Sequence, residues 1–206
     1  IKGEMDMTDK NVSIMNIGSM GYLPQVFKKI ENEKKLNIVY LGGSITMGCN
    51  ATKTELRYVD RSAKWWQTNF PDAEISYFNA GIGATTSQFG VARVQEHVLD
   101  KHPDLVFVEF SVNDSSSPLF METYESLVRR LLKAESVKAV VLINNLFYDT
   151  GTNAQGIHNA IGLHYDLPIV RVRNYIFPEI QLGNVCLADY TADMLHPTDL
   201  GHKMIA

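Results

Sequence analysis

Ser44, in the run Leu41-Gly42-Gly43-Ser44-Ile45-Thr46, has the type and setting of a nucleophile, because a hydroxyl follows directly on an apolar stretch, 36–41, that reads as a buried strand. Taken by itself the run also suits an ordinary turn or a phosphate cradle. Three further segments bear on the choice: Asn79-Ala80-Gly81-Ile82-Gly83-Ala84-Thr85, Val112-Asn113-Asp114, and Asp193-Met194-Leu195-His196-Pro197. A hydroxyl, an imidazole and a carboxylate are the parts of serine acyl transfer. A glycine-rich turn and a neutral amide are parts from which an oxyanion site is made.

Pro197 disfavours helical geometry at His196, which places the ring on a loop ahead of the last helix. Asp193, three residues earlier, can curl back to accept a bond from the imidazole and fix its tautomer. An isolated Asp-x-x-His is more often a capping or turn arrangement. Beside Ser44 and Asn113 the catalytic reading outweighs it. Other residues take plainer roles. Glu109, inside an apolar run, reads as a strand-end carboxylate held for structure, and of Trp65 and Trp66 at least one belongs to the core. His202 suits a surface or capping position in the last helix, and Cys49 a small buried one. Asp114 and Thr46 are expected to supply supporting hydrogen bonds. His97, His102, His158 and His164 share no spacing with acidic or thiol partners, so no metal and no cofactor is expected.

The elements that must position these residues are five β-branched and aromatic runs, at 36–41, 75–79, 104–110, 138–143 and 168–172, alternating with helical patterns. Such alternation implies a parallel sheet covered on both faces. Phe120, Tyr124, Leu127, Val128, Leu131 and Leu132 form one amphipathic stripe, Val91, Val94, Val98 and Leu99 another, and 154–165 a weaker helix. Ligands of open parallel sheets bind beyond the carboxyl ends of the strands, beside a switch in strand order. With the flavodoxin-like order 2-1-3-4-5 in a three-layer α/β/α fold, Ser44 lies between the Gly83-Ala84 turn and Asn113, two candidate oxyanion donors. A helix starting near Ala84 or Thr85 would aim free N–H groups at the same place. The last strand lies three spacings from the first, roughly 14 Å, and the stretch from Asn174 to Leu195 is long enough for the chain to return.

The 206 residues, 45% hydrophobic and 20% charged, suffice for one sizeable core. The expected organisation is a lead-in segment, 1–35, packed on a domain covering 36–206. A net charge of −4 without a basic cluster argues against nucleic acid or an anionic membrane surface as partner. No apolar run reaches the roughly 18 residues of a membrane helix. No secretory signal pattern is present, so the location leans to the cytoplasm, although a chain starting at Ile1 also fits a trimmed or mature piece. Two cysteines, Cys49 and Cys186, make no disulfide framework. Nothing here sets an oligomeric state.

On its four blocks the chain resembles the SGNH hydrolases, the GDSL-like esterase and lipase superfamily. Gly42 to Thr46 is similar to the nucleophile block, Asn79 to Thr86 to the glycine block, Val112-Asn113-Asp114 to the asparagine block, and Asp193 to His196 to the closing Asp-x-x-His. The wording is most similar to a bacterial group that includes carbohydrate esterases. The resemblance implies metal-free ester hydrolysis with Ser44 as nucleophile, His196 as base and Asp193 as its orienting partner. It also implies an oxyanion hole of the Ser44 N–H, the Ala84 N–H and the Asn113 amide. At the glycine-block donor position the family usually has glycine, and Ala84 aligns there with Gly83 just before it, which keeps Gly83 as the fallback donor. The last helix, ending ten residues after His196, is expected to be cut short. The leading expectation is an esterase for small acyl groups, above all acetyl esters of carbohydrates, with a small-molecule or carbohydrate ester as partner. A lipid- or thioester-directed hydrolase and a non-catalytic flavodoxin-like binding module remain as alternatives. Against the module, the Gly42 to Thr46 loop lacks a P-loop lysine, and a phosphate binder has no use for Asp193 paired with His196.

Overall fold

A computed structural model describes residues 9–206. The first eight residues of the expected lead-in lie outside the described residues. The strands are β1 (Ile14–Ile17), β2 (Lys35–Gly42), β3 (Glu74–Gly81), β4 (Leu105–Glu109), β5 (Ala139–Asn144) and β6 (Pro168–Arg171). They form one sheet in the order β1-β6-β5-β4-β2-β3. All neighbouring pairs are parallel except β1 with β6.

The sheet therefore has six strands where five were expected. Without β1 the order is the expected one, each strand number raised by one. The sixth strand comes from the lead-in: Ile14 faces Val170 and Ile17 faces Pro168 across a register shift. Its signal in the sequence is faint because an edge strand of four residues buries little, with Ile17 73% exposed. Asn16, which looks like a turn residue, anchors the edge by donating to the Asp166 carboxylate and the Leu167 carbonyl.

The helices are α1 (Leu23–Glu33), α2 (Ser44–Met47), α3 (Tyr58–Asn69), α4 (Ser87–His97), α5 (Pro118–Leu132), α6 (Gln155–His164), α7 (Val172–Gln181), α8 (Leu187–Tyr190) and α9 (Asp199–Ile205). Alternation along each central strand divides the core into two layers. Leu36, Ile38 and Tyr40 of β2 pack with Val26 and Ile30 of α1, Val59 and Trp66 of α3, and Val172 and Ile176 of α7. Val39 and Leu41 of the same strand pack on the opposite face with Val94 of α4, Tyr124, Leu127, Val128 and Leu131 of α5, and Ile161 of α6.

Register sets the functional rim. Gly42 pairs with Gly81 on one side and Glu109 on the other. Ser44, Gly83 and Asn113 therefore leave the same edge of the sheet within a few residues of their strand ends. Helix α4 begins later than expected, at Ser87, with Thr86 as the capping position. Ala84 has φ +57°, outside the right-handed helical region, so the turn cannot continue into the helix from there.

Candidate active site

Ser44 opens α2, one residue beyond β2, and is 6% exposed. Its Oγ is 2.8 Å from Nε2 of His196, a residue 152 positions later in the chain. Nδ1 of His196 lies 2.7 Å from Oδ2 of Asp193. A carboxylate only accepts, so Nδ1 carries the proton and Nε2 presents its lone pair to the serine hydroxyl. The three residues are thus in one hydrogen-bonded row, Ser44 at the start of α2 after β2, and Asp193 and His196 on the chain that returns through α7 and α8.

Asp193 is held by its own loop. Its Oδ1 accepts the backbone N–H groups of Leu195 at 3.1 Å and His196 at 2.7 Å. Thr191 Oγ1 donates to the His196 carbonyl at 2.8 Å, and an isolated bridge joins Thr191 to Pro197. Burial tends to raise the pKa of Asp193. The hydrogen bonds from the His196 ring and the two backbone N–H groups, with the charge of His196, outweigh it and hold the carboxyl well below the usual range. The side chain stays an anion and an acceptor at any ordinary pH.

The glycine turn and Asn113 flank the serine. A side chain on Gly43 would come within 2.5 Å of Asn113 Oδ1, and one on Gly81 within 2.2 Å of the Met47 nitrogen. Both glycines permit a backbone approach that any Cβ would block. Asn79 completes the turn, donating to the Thr46 carbonyl at 2.8 Å while accepting the Gly81 N–H at 2.9 Å. Among the described residues neither the Gly83 nor the Ala84 N–H is taken by a backbone carbonyl. Asn113 Oδ1 is buried without a hydrogen-bond partner.

The support beneath the rim includes residues whose pairing the sequence did not reveal. Asp114 Oδ2 lies 3.0 Å from Nε2 of His158, both fully buried, and the imidazole stacks on Tyr124 with centroids 3.6 Å apart. Burial, opposed by the Asp114 contact, lowers the pKa of His158 and favours the neutral ring. The pairing spans 44 residues and has no local spacing to betray it. His202 corrects the surface expectation: it is fully buried, accepting the Tyr58 N–H through Nδ1 and reaching the Cys49 carbonyl through Nε2. Cys49 is only partly buried, and burial together with the Asp193 charge pushes its thiol up, away from a reactive thiolate. Trp66 lies in the core and Trp65 is 53% exposed.

Glu109 is 1% exposed, with Ser111 Oγ 3.4 Å from Oε1 and no partner for Oε2. Burial pushes its carboxyl up to about 7, against smaller opposing influences from Asn145 and Ser111. Neither side-chain polar atom of Asn145 completes a hydrogen bond, so that neighbour acts by proximity alone. Among the described residues no group of three or more His, Cys, Asp or Glu side chains is arranged to hold a metal ion. No helix among them is long and apolar enough to cross a membrane.

The chain is 45% identical to a two-domain esterase active on acetylated mannans, whose crystal structure with mannopentaose superposes with a TM-score of 0.93 over 96% of this chain. It spans about half of that protein, 54% of its length. It is 25% identical to an acetylxylan esterase of Geobacillus stearothermophilus, over 86% of this chain and 93% of that one. A crystal structure of a catalytic mutant of an acetylxylan esterase from the same organism, at 20% identity and a TM-score of 0.69, shares the fold. The match to the family model runs over residues 40–204, from the end of β2 through the His196 loop into α9. On that match the chain belongs to the GDSL-like lipase/acylhydrolase family.

Proposed function

We propose that the protein is a serine ester hydrolase that removes small acyl groups, acetyl above all, from carbohydrate esters. The observation that carries the reading is the row Ser44 Oγ, His196 and Asp193, at 2.8 Å and 2.7 Å. The carbohydrate acetyl ester is supported by the relatives active on acetylated mannans and named for acetylxylan.

In this reading His196 Nε2 takes the Ser44 proton as Oγ attacks the ester carbonyl. The ring then gives that proton to the departing sugar oxygen. A water that enters next loses its proton to the same nitrogen as it attacks the acyl carbon, and the ring returns that proton to Ser44 Oγ as the C–O bond breaks and the carboxylic acid leaves. Asp193 keeps the ring in the tautomer that both steps need and stabilises the transient imidazolium. Charge gathers on the carbonyl oxygen in each step. The donors proposed for it are the N–H groups of Ser44 and Ala84, with Gly83 as alternative, and Nδ2 of Asn113. A donor set made of backbone N–H and a neutral amide favours the oxyanion over the uncharged carbonyl without introducing a group that binds the ground state tightly.

The test is hydrolysis of 4-nitrophenyl esters from acetyl to long acyl, alongside acetyl release from acetylated manno- and xylo-oligosaccharides. The reading expects the rate to fall steeply beyond propionyl and acetate to be released from at least one oligosaccharide. A rate that rises with acyl length contradicts it.

A further inference from the structure

Arg93 sits in the middle of α4 and is 6% exposed. Its Nη1 donates to the Ala80 carbonyl at 2.7 Å and its Nη2 to the Gly42 carbonyl at 3.1 Å. One guanidinium therefore joins the ends of two adjacent strands. Gly42 lies two residues before Ser44, and Ala80 three before Gly83. Nη1 is also 3.3 Å from His97 Nδ1 of the same helix, and the Phe89 ring centroid is 5.8 Å from the guanidinium carbon. From β2 and β3 the groups facing it are carbonyls, and no carboxylate among the described residues pairs with it. Burial is the one influence on its pKa, drawing it below the ordinary guanidinium value to about 10, so it remains a cation near neutrality.

A buried cation without a counter-ion is costly, and two carbonyls alone do not require one. A neutral amide could donate to the same oxygens. The charge lies at the β2–β3 strand ends, on the side of Ser44 where the Gly83-Ala84 turn stands. A fixed positive charge in a poorly screened interior acts over several ångströms.

We propose that Arg93 is a positioning residue with two effects: its fork sets the spacing of the Ser44 turn against the Gly83-Ala84 turn, and its unpaired charge favours the tetrahedral oxyanion. The inference rests on the reading of Ser44 as nucleophile.

Arg93→Gln keeps a donor for the carbonyls and removes the charge, while Arg93→Lys keeps the charge and loses the fork. Both are compared with the unaltered protein in hydrolysis of 4-nitrophenyl acetate across about pH 5 to 9, with thermal melting and covalent labelling by a fluorophosphonate. In Arg93→Gln, kcat is expected to fall on the order of 10- to 100-fold with KM little changed. In Arg93→Lys part of that kcat should return. A kcat in the Gln variant close to that of the unaltered protein, or an equal fall in both variants, overturns the inference while Ser44 labelling still upholds the underlying reading. Loss of Ser44 as the labelled residue in the unaltered protein would instead remove that reading. If the Gln variant fails to melt cooperatively, the Lys variant decides, and a change there in KM with kcat untouched overturns the inference.

Discussion

Asp114 Oδ1 accepts the backbone N–H of Ser87 at 2.9 Å, so the residue after Asn113 caps the helix that follows the Gly83-Ala84 turn. Through this one carboxylate the two segments proposed to bind the oxyanion are fixed relative to each other. His158 holds the other oxygen of the same group.

Asp114→Ala should therefore strand both the Ser87 N–H and the His158 ring in a dry interior. Denaturant unfolding should show a loss of about 2–4 kcal/mol. Turnover should drop about tenfold through misplaced donors, with Asp114→Asn in between. Unaltered stability in Asp114→Ala contradicts this support.

Ala84 adopts φ +57°, a conformation that disfavours any Cβ. Ala84→Gly removes that strain but adds freedom to the unfolded chain, which offsets part of the gain. The net expectation is stabilisation of a few tenths to about 1 kcal/mol, read as a higher melting temperature with hydrolysis retained. A lower melting temperature contradicts the strain argument.

Asn113→Ala removes a proposed side-chain donor without introducing charge. Turnover on an acetyl ester should fall about 10²–10³-fold while KM changes little. Equal effects on ground-state binding and turnover would assign Asn113 to substrate binding instead.

Glu109 gives a pH dependence with a definite sign. Its folded-state carboxyl is raised from 4.5 to about 7, so between those values the folded protein holds a proton that the unfolded chain has released. Stability should consequently decline as pH rises through that window and level off above it. Glu109→Gln should raise the melting temperature at pH 8 and change it little at pH 4. The opposite order would mean that the carboxylate is stabilised as an anion.

Much of the sheet could be read from the chain because β2, β4 and β5 are apolar on both faces, as strands covered by helices on both sides must be. The α5 stripe was equally legible, since Tyr124, Leu127, Val128 and Leu131 are buried at helical spacing. Strand β1 escaped because its pairing with β6 is made by backbone groups along a short, largely exposed edge. The start of α4 escaped because a left-handed Ala84 has no signature that separates it from an ordinary first-turn residue. The four blocks at the rim are visible as words in the sequence, and the structure gathers Ser44, Asp193 and His196 into one row. What lies beneath them is not visible. Arg93 sits among Val91, Val94, Gln95 and Glu96 of an amphipathic helix and reads as one more solvated charge. Asp114 and His158 meet through tertiary packing alone.

The central claim is that Ser44 is the nucleophile, activated by His196. Fluorophosphonate labelling followed by peptide mapping tests it most directly. The account predicts one tagged residue, Ser44, with labelling abolished in Ser44→Ala and slowed by on the order of 10³-fold or more in His196→Ala. A tag on another residue, or undiminished labelling of Ser44→Ala, would contradict it.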